Sequence, residues 1–347
     1  MPRRALAAAL AAAGLLVIAT PAAAQAPPGA NDFACRSATP PVILVHGTFG
    51  DMTVSWNAVS PALKSAGHCV FALDLPRRAM APIDRSADRL AAFIDEVLSR
   101  TGAAQVSIVG HDQGGMLGRY VASFRGKLAA IDDIVGLAPV SHGTKTRLAP
   151  GIRCPACKEL QAGSAFMQQL SAAPEGPPAY TVVSTKHDRV VTPYRSQALE
   201  GATNVVLQDR CPDDIIDHVG VVFDPVALQW ALDALGRPGP ADPAFQPDCD
   251  AAGGGSPPFA VVVRRGTRVG DESAAVRVRC IGSVGRCVGR LVLRGLASAP
   301  VDVAAGATRT VHVPLGRAPR RVKATVTTLQ PGGFVKATLP LRRRQDR

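Results

Sequence analysis

Val106-Ser107-Ile108-Val109-Gly110-His111-Asp112-Gln113-Gly114-Gly115 is the stretch on which the reading of this chain turns. A short β-branched run drops into Gly-His-Asp-Gln-Gly, and Met116, Leu117, Tyr120 and Val121 follow at helical spacing. The context is strand, sharp turn, helix. Glycines on both sides let a strained turn close, and the residue between them is pushed out at the top of a parallel sheet, as in a nucleophile elbow. Ser usually stands at that tip; here it is Asp112.

Working outward, Val42-Ile43-Leu44-Val45 reads as a fully buried strand that ends in His46-Gly47-Thr48-Phe49-Gly50. That loop belongs beside the elbow. Its simplest contribution is the Thr48 N–H, with the Gln113 N–H as second donor of an oxyanion hole. Another buried strand at 70–73 and a helix over 84–100, stopped by Gly102, complete a parallel βαβ unit leading into Asp112. Downstream, strands are expected at 131–138, 180–184 and 203–208, and a helix at 225–235. The first of these exits through Pro139-Val140-Ser141-His142-Gly143, which places Ser141 or His142 towards the pocket. The second leads to Asp188, and the third to the loop carrying His218.

Strand ends in a doubly wound sheet converge on the ligand crevice. An isolated Asp is more often a turn or helix cap, and an isolated His a satisfied polar group. Three such residues, each after its own strand, with a Gly-flanked turn around the first, instead form a candidate site. The order Asp112, Asp188, His218 is nucleophile, acid, base. His46, His111 and His187 are rivals for the base, and His218 ranks above them because it comes last in the chain.

The 347 residues, 47% of them hydrophobic, suffice for one large α/β domain and a smaller one. Met-Pro-Arg-Arg, an apolar run over 5–18 and small residues near Ala24 have the pattern of an export signal, cleaved near Ala24 or Ala26. The run is short for a bilayer span, so no transmembrane segment is expected. Eight cysteines in an exported chain imply four disulfides. Proximity suggests Cys154 with Cys157 and Cys280 with Cys287, leaving Cys35, Cys69, Cys211 and Cys249. Cys-Pro-Ala-Cys could also serve redox or zinc chemistry, but no second ligand pair lies nearby. The reading therefore takes no metal and no cofactor.

Residues 236–258 are rich in Pro and Gly, and the chain changes character after them. Stretches at 259–264, 275–279, 290–294, 310–314, 321–327 and 334–341 alternate apolar and polar residues, the period of half-buried antiparallel strands. The expected layout is a signal over 1–26, an α/β domain over 27–252, a linker over 253–258 and a small β-sandwich over 259–347. The net charge of +12 is concentrated in the last part, where 256–347 hold 18 Lys/Arg against 4 Asp/Glu. Such a surface suits an anionic polymer or lipid as well as plain solvation, and no nucleic-acid partner is expected.

Residues 35–250 resemble the secreted lipases of actinobacteria and, more distantly, the yeast lipase B. The resemblance rests on His46-Gly47-Thr48, on Gly110-His111-Asp112-Gln113-Gly114-Gly115 and on Ala138-Pro139-Val140-Ser141-His142-Gly143-Thr144. It rests also on Asp188 in His-Asp-Arg-Val-Val-Thr-Pro and on His218 in Ile-Asp-His-Val-Gly. It implies an α/β-hydrolase fold, a secreted carboxylic ester hydrolase acting on lipid or other esters, Asp188 as acid and His218 as base. It also implies the disulfides Cys35–Cys69 and Cys211–Cys249. The chain departs from that family at the nucleophile, Asp112 for Ser.

A Ser at the elbow gives an acyl ester that water opens, whereas a carboxylate attacking an ester would give an anhydride and mostly revert. On a saturated carbon, by displacing halide or opening an epoxide, the same carboxylate would yield an alkyl ester that water can hydrolyse with help from His218. The likeness to haloalkane dehalogenases and epoxide hydrolases stops at this one residue, since Gln113 follows where those families place a Trp, or two Tyr on a cap. Three readings follow: a lipase-family esterase slowed by Asp112, an Asp-nucleophile hydrolase of alkyl substrates, or a binding protein on an inactive scaffold.

Overall fold

The computed structural model describes residues 26–147, 153–173, 176–253 and segments of 260–328. Residues 1–25 of the expected export signal, residues 254–258 of the expected linker, the side chains of Cys280 and Cys287 and the strand expected at 334–341 lie outside the described residues. In chain order the first part runs β1 (Val42–Val45), α1 (Met52–Ser55), α2 (Val59–Ser65), β2 (Val70–Leu73), α3 (Ile83–Thr101), β3 (Val106–His111) and α4 (Gln113–Phe124). It continues with β4 (Ile131–Leu137), α5 (Pro155–Glu159), α6 (Ala165–Ser171), β5 (Ala179–Ser184), β6 (Thr203–Val206), α7 (Leu207–Arg210) and α8 (Pro225–Leu235).

Six parallel strands stand in the order β2-β1-β3-β4-β5-β6. The chain starts in β1, goes to one side for β2, and crosses back for β3. That reversal puts the loops after β1 and β3 side by side, where an open α/β sheet binds its ligand. Both faces are covered, which is why β1 (Val-Ile-Leu-Val) and β2 (Val-Phe-Ala-Leu) read as continuous apolar runs rather than alternating ones. Ile43 and Val45 join one core with Leu90, Ile94 and Val97 of α3 and Leu117 of α4. Val42 and Leu44 point to the other, with Trp56, Leu63 of α2 and Val226 and Trp230 of α8. Each of these large side chains is fully buried, worth roughly 1.5–3 kcal/mol apiece.

Helix α3 is one residue longer at each end than the pattern predicts and stops at Gly102, whose φ of 73° closes a left-handed cap with its N–H on Leu98 O. The strand expected over 203–208 ends at Val206 and turns into α7. Gln208 is drawn away from the sheet: its Oε1 accepts the Lys186 N–H at 2.8 Å and its Nε2 donates to Asp214 O at 3.0 Å. The short helices α1, α2, α5 and α6 were not signalled by the sequence.

Three disulfides join Cys35 to Cys69, Cys154 to Cys157 and Cys211 to Cys249. The first closes the span that contains Thr48, and the third the span that contains His218. Among the described residues no helix is long and apolar enough to cross a membrane, and no cluster of His, Cys, Asp or Glu is placed to hold a metal ion.

Past residue 259 every strand pairing among the described residues is antiparallel. Strands β7 (Ala260–Val263), β8 (Arg268–Val269), β9 (Ser273–Ile281) and β12 (Thr308–Pro314) form one sheet; β10 (Arg286–Leu293), β11 (Ala297–Ala304) and β13 (Ala324–Thr328) form another. Val276, Val278, Val311 and Val313 are buried while Arg277, Thr310 and His312 are exposed, the alternation expected of half-buried strands. β8 and β11 were not anticipated. Pro300 lies within β11, which is tolerated because β11 is an edge strand.

Candidate active site

Asp112 occupies the bend between β3 and α4 at φ 52° and ψ −121°, a conformation that costs a non-glycine residue energy and that the surroundings must impose. They do so through close backbone approach. A Cβ on Gly114 would lie 2.1 Å from the Val45 carbonyl oxygen, so only glycine lets α4 start directly against β1. Gly47 is similarly constrained, since a Cβ there would stand 2.6 Å from the Asp112 Cβ and 2.9 Å from Oδ2. The turn is further tied by the Asp112 carbonyl, which accepts the N–H groups of Gly115 and Val140, each at 3.2 Å.

The structure brings together the three residues chosen from the sequence. His218 Nδ1 is 2.7 Å from Asp188 Oδ2, and its Nε2 is 3.4 Å from Asp112 Oδ1. All three are buried. Asp188 is held rigidly: Oδ1 accepts the Val190 and Val191 N–H groups at 2.8 Å each, and Oδ2 also accepts Gln197 Nε2 at 2.8 Å. Gln197 was missed by the sequence reading, and its place on a short turn after β5 carries no motif that could have revealed it.

The two expected oxyanion donors face the protein's own carboxylate. The Thr48 N–H donates to Asp112 Oδ2 at 2.8 Å, and the Gln113 N–H pulls on the same group. The Thr48 hydroxyl meanwhile donates to Gln113 Oε1 at 3.1 Å, linking the loop after β1 to the first residue of α4. Burial alone would raise the Asp112 pKa, but the His218 hydrogen bond and charge, with His111 and the Gln113 N–H, hold it well below the usual carboxylate range. Its position at the N-terminus of the twelve-residue α4 favours the same anion. Burial likewise opposes charge on His218, yet the two carboxylates prevail and push its pKa up to about 10. Both shifts favour an imidazolium between two carboxylates.

The rival histidines have other duties. His46 is buried, accepts the Leu75 N–H on Nε2 at 3.0 Å and meets Gly47 O with Nδ1 at 2.9 Å. His111 donates from Nε2 to the His218 carbonyl at 2.8 Å; burial, reinforced by the His218 charge, pushes its pKa down to about 4. Beside His218 opens a cavity of about 270 Å³ lined by His187, Arg189, Val190, Ile215, Asp217 and Val219. Ile215 is 79% exposed and Val190 41%, an apolar rim at the mouth. Ser141 and His142 do not line this cavity: Ser141 is buried, and His142 donates to Ala198 O at 3.1 Å. The loop holding them bends under the 153–173 segment, where Thr144 N–H reaches Leu160 O.

A triacylglycerol lipase of Burkholderia plantarii is 36% identical over 132 residues, covering 36% of this chain and 35% of that protein. One from Pseudomonas fragi is 30% identical over 149 residues, 40% of this chain and 50% of the relative. The chain thus spans about a third to a half of the length of these curated relatives. The crystal structure of Aspergillus fumigatus lipase B shares the fold, with a TM-score of 0.59 at 23% identity over 65% of this chain and 59% of that one. The parallel sheet flanked by helices is the α/β-hydrolase arrangement. The sequence model of lipase (class 2) matches residues 39–231, a span that holds the loop of Thr48, the elbow, Asp188 and His218. The chain belongs to the class 2 lipase family.

Proposed function

We propose that residues 27–252 form a carboxylic ester hydrolase domain of the lipase type, in which Asp188 orients His218, His218 moves the proton, and the Thr48 and Gln113 N–H groups receive the oxyanion. The observation that carries this reading is His218 held at 2.7 Å from Asp188 with its other nitrogen turned to the elbow residue. The apolar rim of Val190 and Ile215 at the adjoining cavity suits the acyl or alkyl chain of a lipid ester. Asp112 keeps ester turnover low: it supplies no hydroxyl, and its carboxylate takes the Thr48 and Gln113 N–H groups a substrate oxyanion needs.

The test is Asp112→Ser assayed on p-nitrophenyl butyrate beside the parent, with Asp112→Ser plus His218→Ala as control. Loss of the nucleophile from such a triad costs ~10⁶ in kcat, so restoring it recovers much of that. A folded but inert Asp112→Ser defeats the reading. In the same proposal the chain is exported, as the leader pattern and the disulfides support. The strands beyond 259 form a separate basic β-sandwich that meets an anionic surface, supported by their antiparallel pairing and the excess of arginine.

A further inference from the structure

Asp112 presents its two oxygens differently. Oδ2 sits with the Thr48 N–H, while Oδ1 faces His218 Nε2 at 3.4 Å. That is the disposition of a carbonyl oxygen already in its hole and an ester oxygen already beside the acid–base group. We propose that this site hydrolyses an ester formed on Asp112 itself, by opening alkyl epoxides to vicinal diols. The proposal rests on the reading of Thr48, Gln113 and His218 as ester-cleaving groups.

The chemistry balances with water as the only co-reactant. An Oδ1 lone pair bonds to an epoxide carbon, the ring C–O bond breaks, and its electron pair stays on the ring oxygen. That oxygen takes the Nε2 proton of the His218 imidazolium and becomes a hydroxyl. Halide loss would need no proton. Ring opening does, and His218 carries one beside the reacting oxygen.

Esterification then cancels the Asp112 charge. One of the two carboxylates that keep His218 protonated is gone, so the imidazole becomes the base that water attack requires. His218 takes a proton from water, the hydroxide adds to the Asp112 carboxyl carbon, and the negative charge gathers on Oδ2 against the Thr48 and Gln113 N–H groups. Collapse breaks the bond from that carbon to Oδ1, which leaves with the product as its second hydroxyl and takes the proton back from His218. The new carboxylic acid gives its proton to His218, and the imidazolium–carboxylate pair is restored. The alkyl chain lies along Val190 and Ile215.

The full-length protein is incubated with octene oxide in water enriched in heavy oxygen, and both products are examined by mass spectrometry. The expected result is octanediol, with heavy oxygen incorporated at Asp112 and absent from the diol of the first turnover. In His218→Gln, water must supply the proton for ring opening more slowly and no base activates water for the second step, so on prolonged incubation intact mass should rise by one epoxide molecule, mapped to Asp112, with diol formation down about 10²–10⁴-fold. Heavy oxygen in the first-turnover diol but not in Asp112 overturns the proposal, because water then attacks the epoxide directly. So does the absence of both diol and adduct; if Asp112→Ser gains esterase activity at the same time, the ester-hydrolase reading stands and only the epoxide step falls.

Discussion

The Thr48 N–H reaches Asp112 Oδ2 across 2.8 Å, so the donor that would meet a substrate oxyanion meets the chain's own carboxylate. In the proposed reading, Asp112 does two things to ester cleavage at once, removing the hydroxyl nucleophile and occupying the hole.

Asp112→Ala separates these effects. It supplies no nucleophile but empties the hole and leaves His218 only Asp188 as a charged partner, so a water molecule can attack. Filling a hole costs what deleting its donors costs, about 10²–10³-fold. Asp112→Ala should therefore cleave p-nitrophenyl butyrate faster than the parent by about that factor, yet more slowly than Asp112→Ser. Initial rates with equal active concentrations check it; an Asp112→Ala no faster than the parent means the carboxylate is not blocking the donors.

The charge pattern also fixes a pH dependence. His218 has a folded pKa of about 10 against about 6.5 unfolded, so its stabilisation is fully present below about 6.5 and is lost as pH rises through about 10. Urea midpoints of the parent and His218→Gln should converge between pH 7 and pH 10, and an NMR titration should find the imidazole protonated at neutral pH. A midpoint gap that widens with pH would contradict the assignment.

Loop closure ranks the disulfides. Cys35–Cys69 and Cys211–Cys249 span 34 and 38 residues, whereas Cys154–Cys157 spans 3. Removing either long-range pair as Ser/Ser should cost about 3–4 kcal/mol, and removing the short one about half that. Chemical denaturation of the three variants tests the order, and a thiol titration of the unfolded, unreduced chain should find no free thiol.

The site is intolerant of a methyl group at Gly114 and at Gly47, for different reasons. Gly114→Ala meets the Val45 carbonyl, a backbone atom that cannot turn aside, and should cost about 3 kcal/mol or prevent folding. Gly47→Ala meets the Asp112 side chain instead, its Cβ first, and pairing it with Asp112→Gly should recover part of the loss. Thermal melts of the single and double variants measure that coupling, and a strictly additive result argues against the contact.

Much of this arrangement was legible before any coordinates, for identifiable reasons. The apolar runs of β1 and β2 are buried on both faces and so unbroken by polar residues, and Gly110 and Gly114 mark a turn that a side chain would forbid. Asp188 and His218, which the fold brings within 2.7 Å of each other, could be picked out because each follows its own strand. Gln197 and His111 were not foreseen as supports, since what they do depends on where Asp188 and the His218 carbonyl come to rest. The turn of 207–210 from strand into helix depends on contacts made by Gln208 to Lys186 and Asp214, which local propensity does not register. Nor could the sequence tell that Asp112 Oδ2 would lie against Thr48.

The bond from His111 Nε2 to the His218 carbonyl joins residues 107 apart in sequence, yet its donor is the immediate neighbour of Asp112. It works as a gauge: the spacing between elbow and base is set from the elbow side, not by the length of the loop that delivers the base. With its pKa at about 4, His111 stays neutral at physiological pH and keeps the proton that the carbonyl accepts. The stretch from α7 to α8 can therefore drift in sequence and length while the nucleophile–base gap stays calibrated, so long as residue 111 remains histidine.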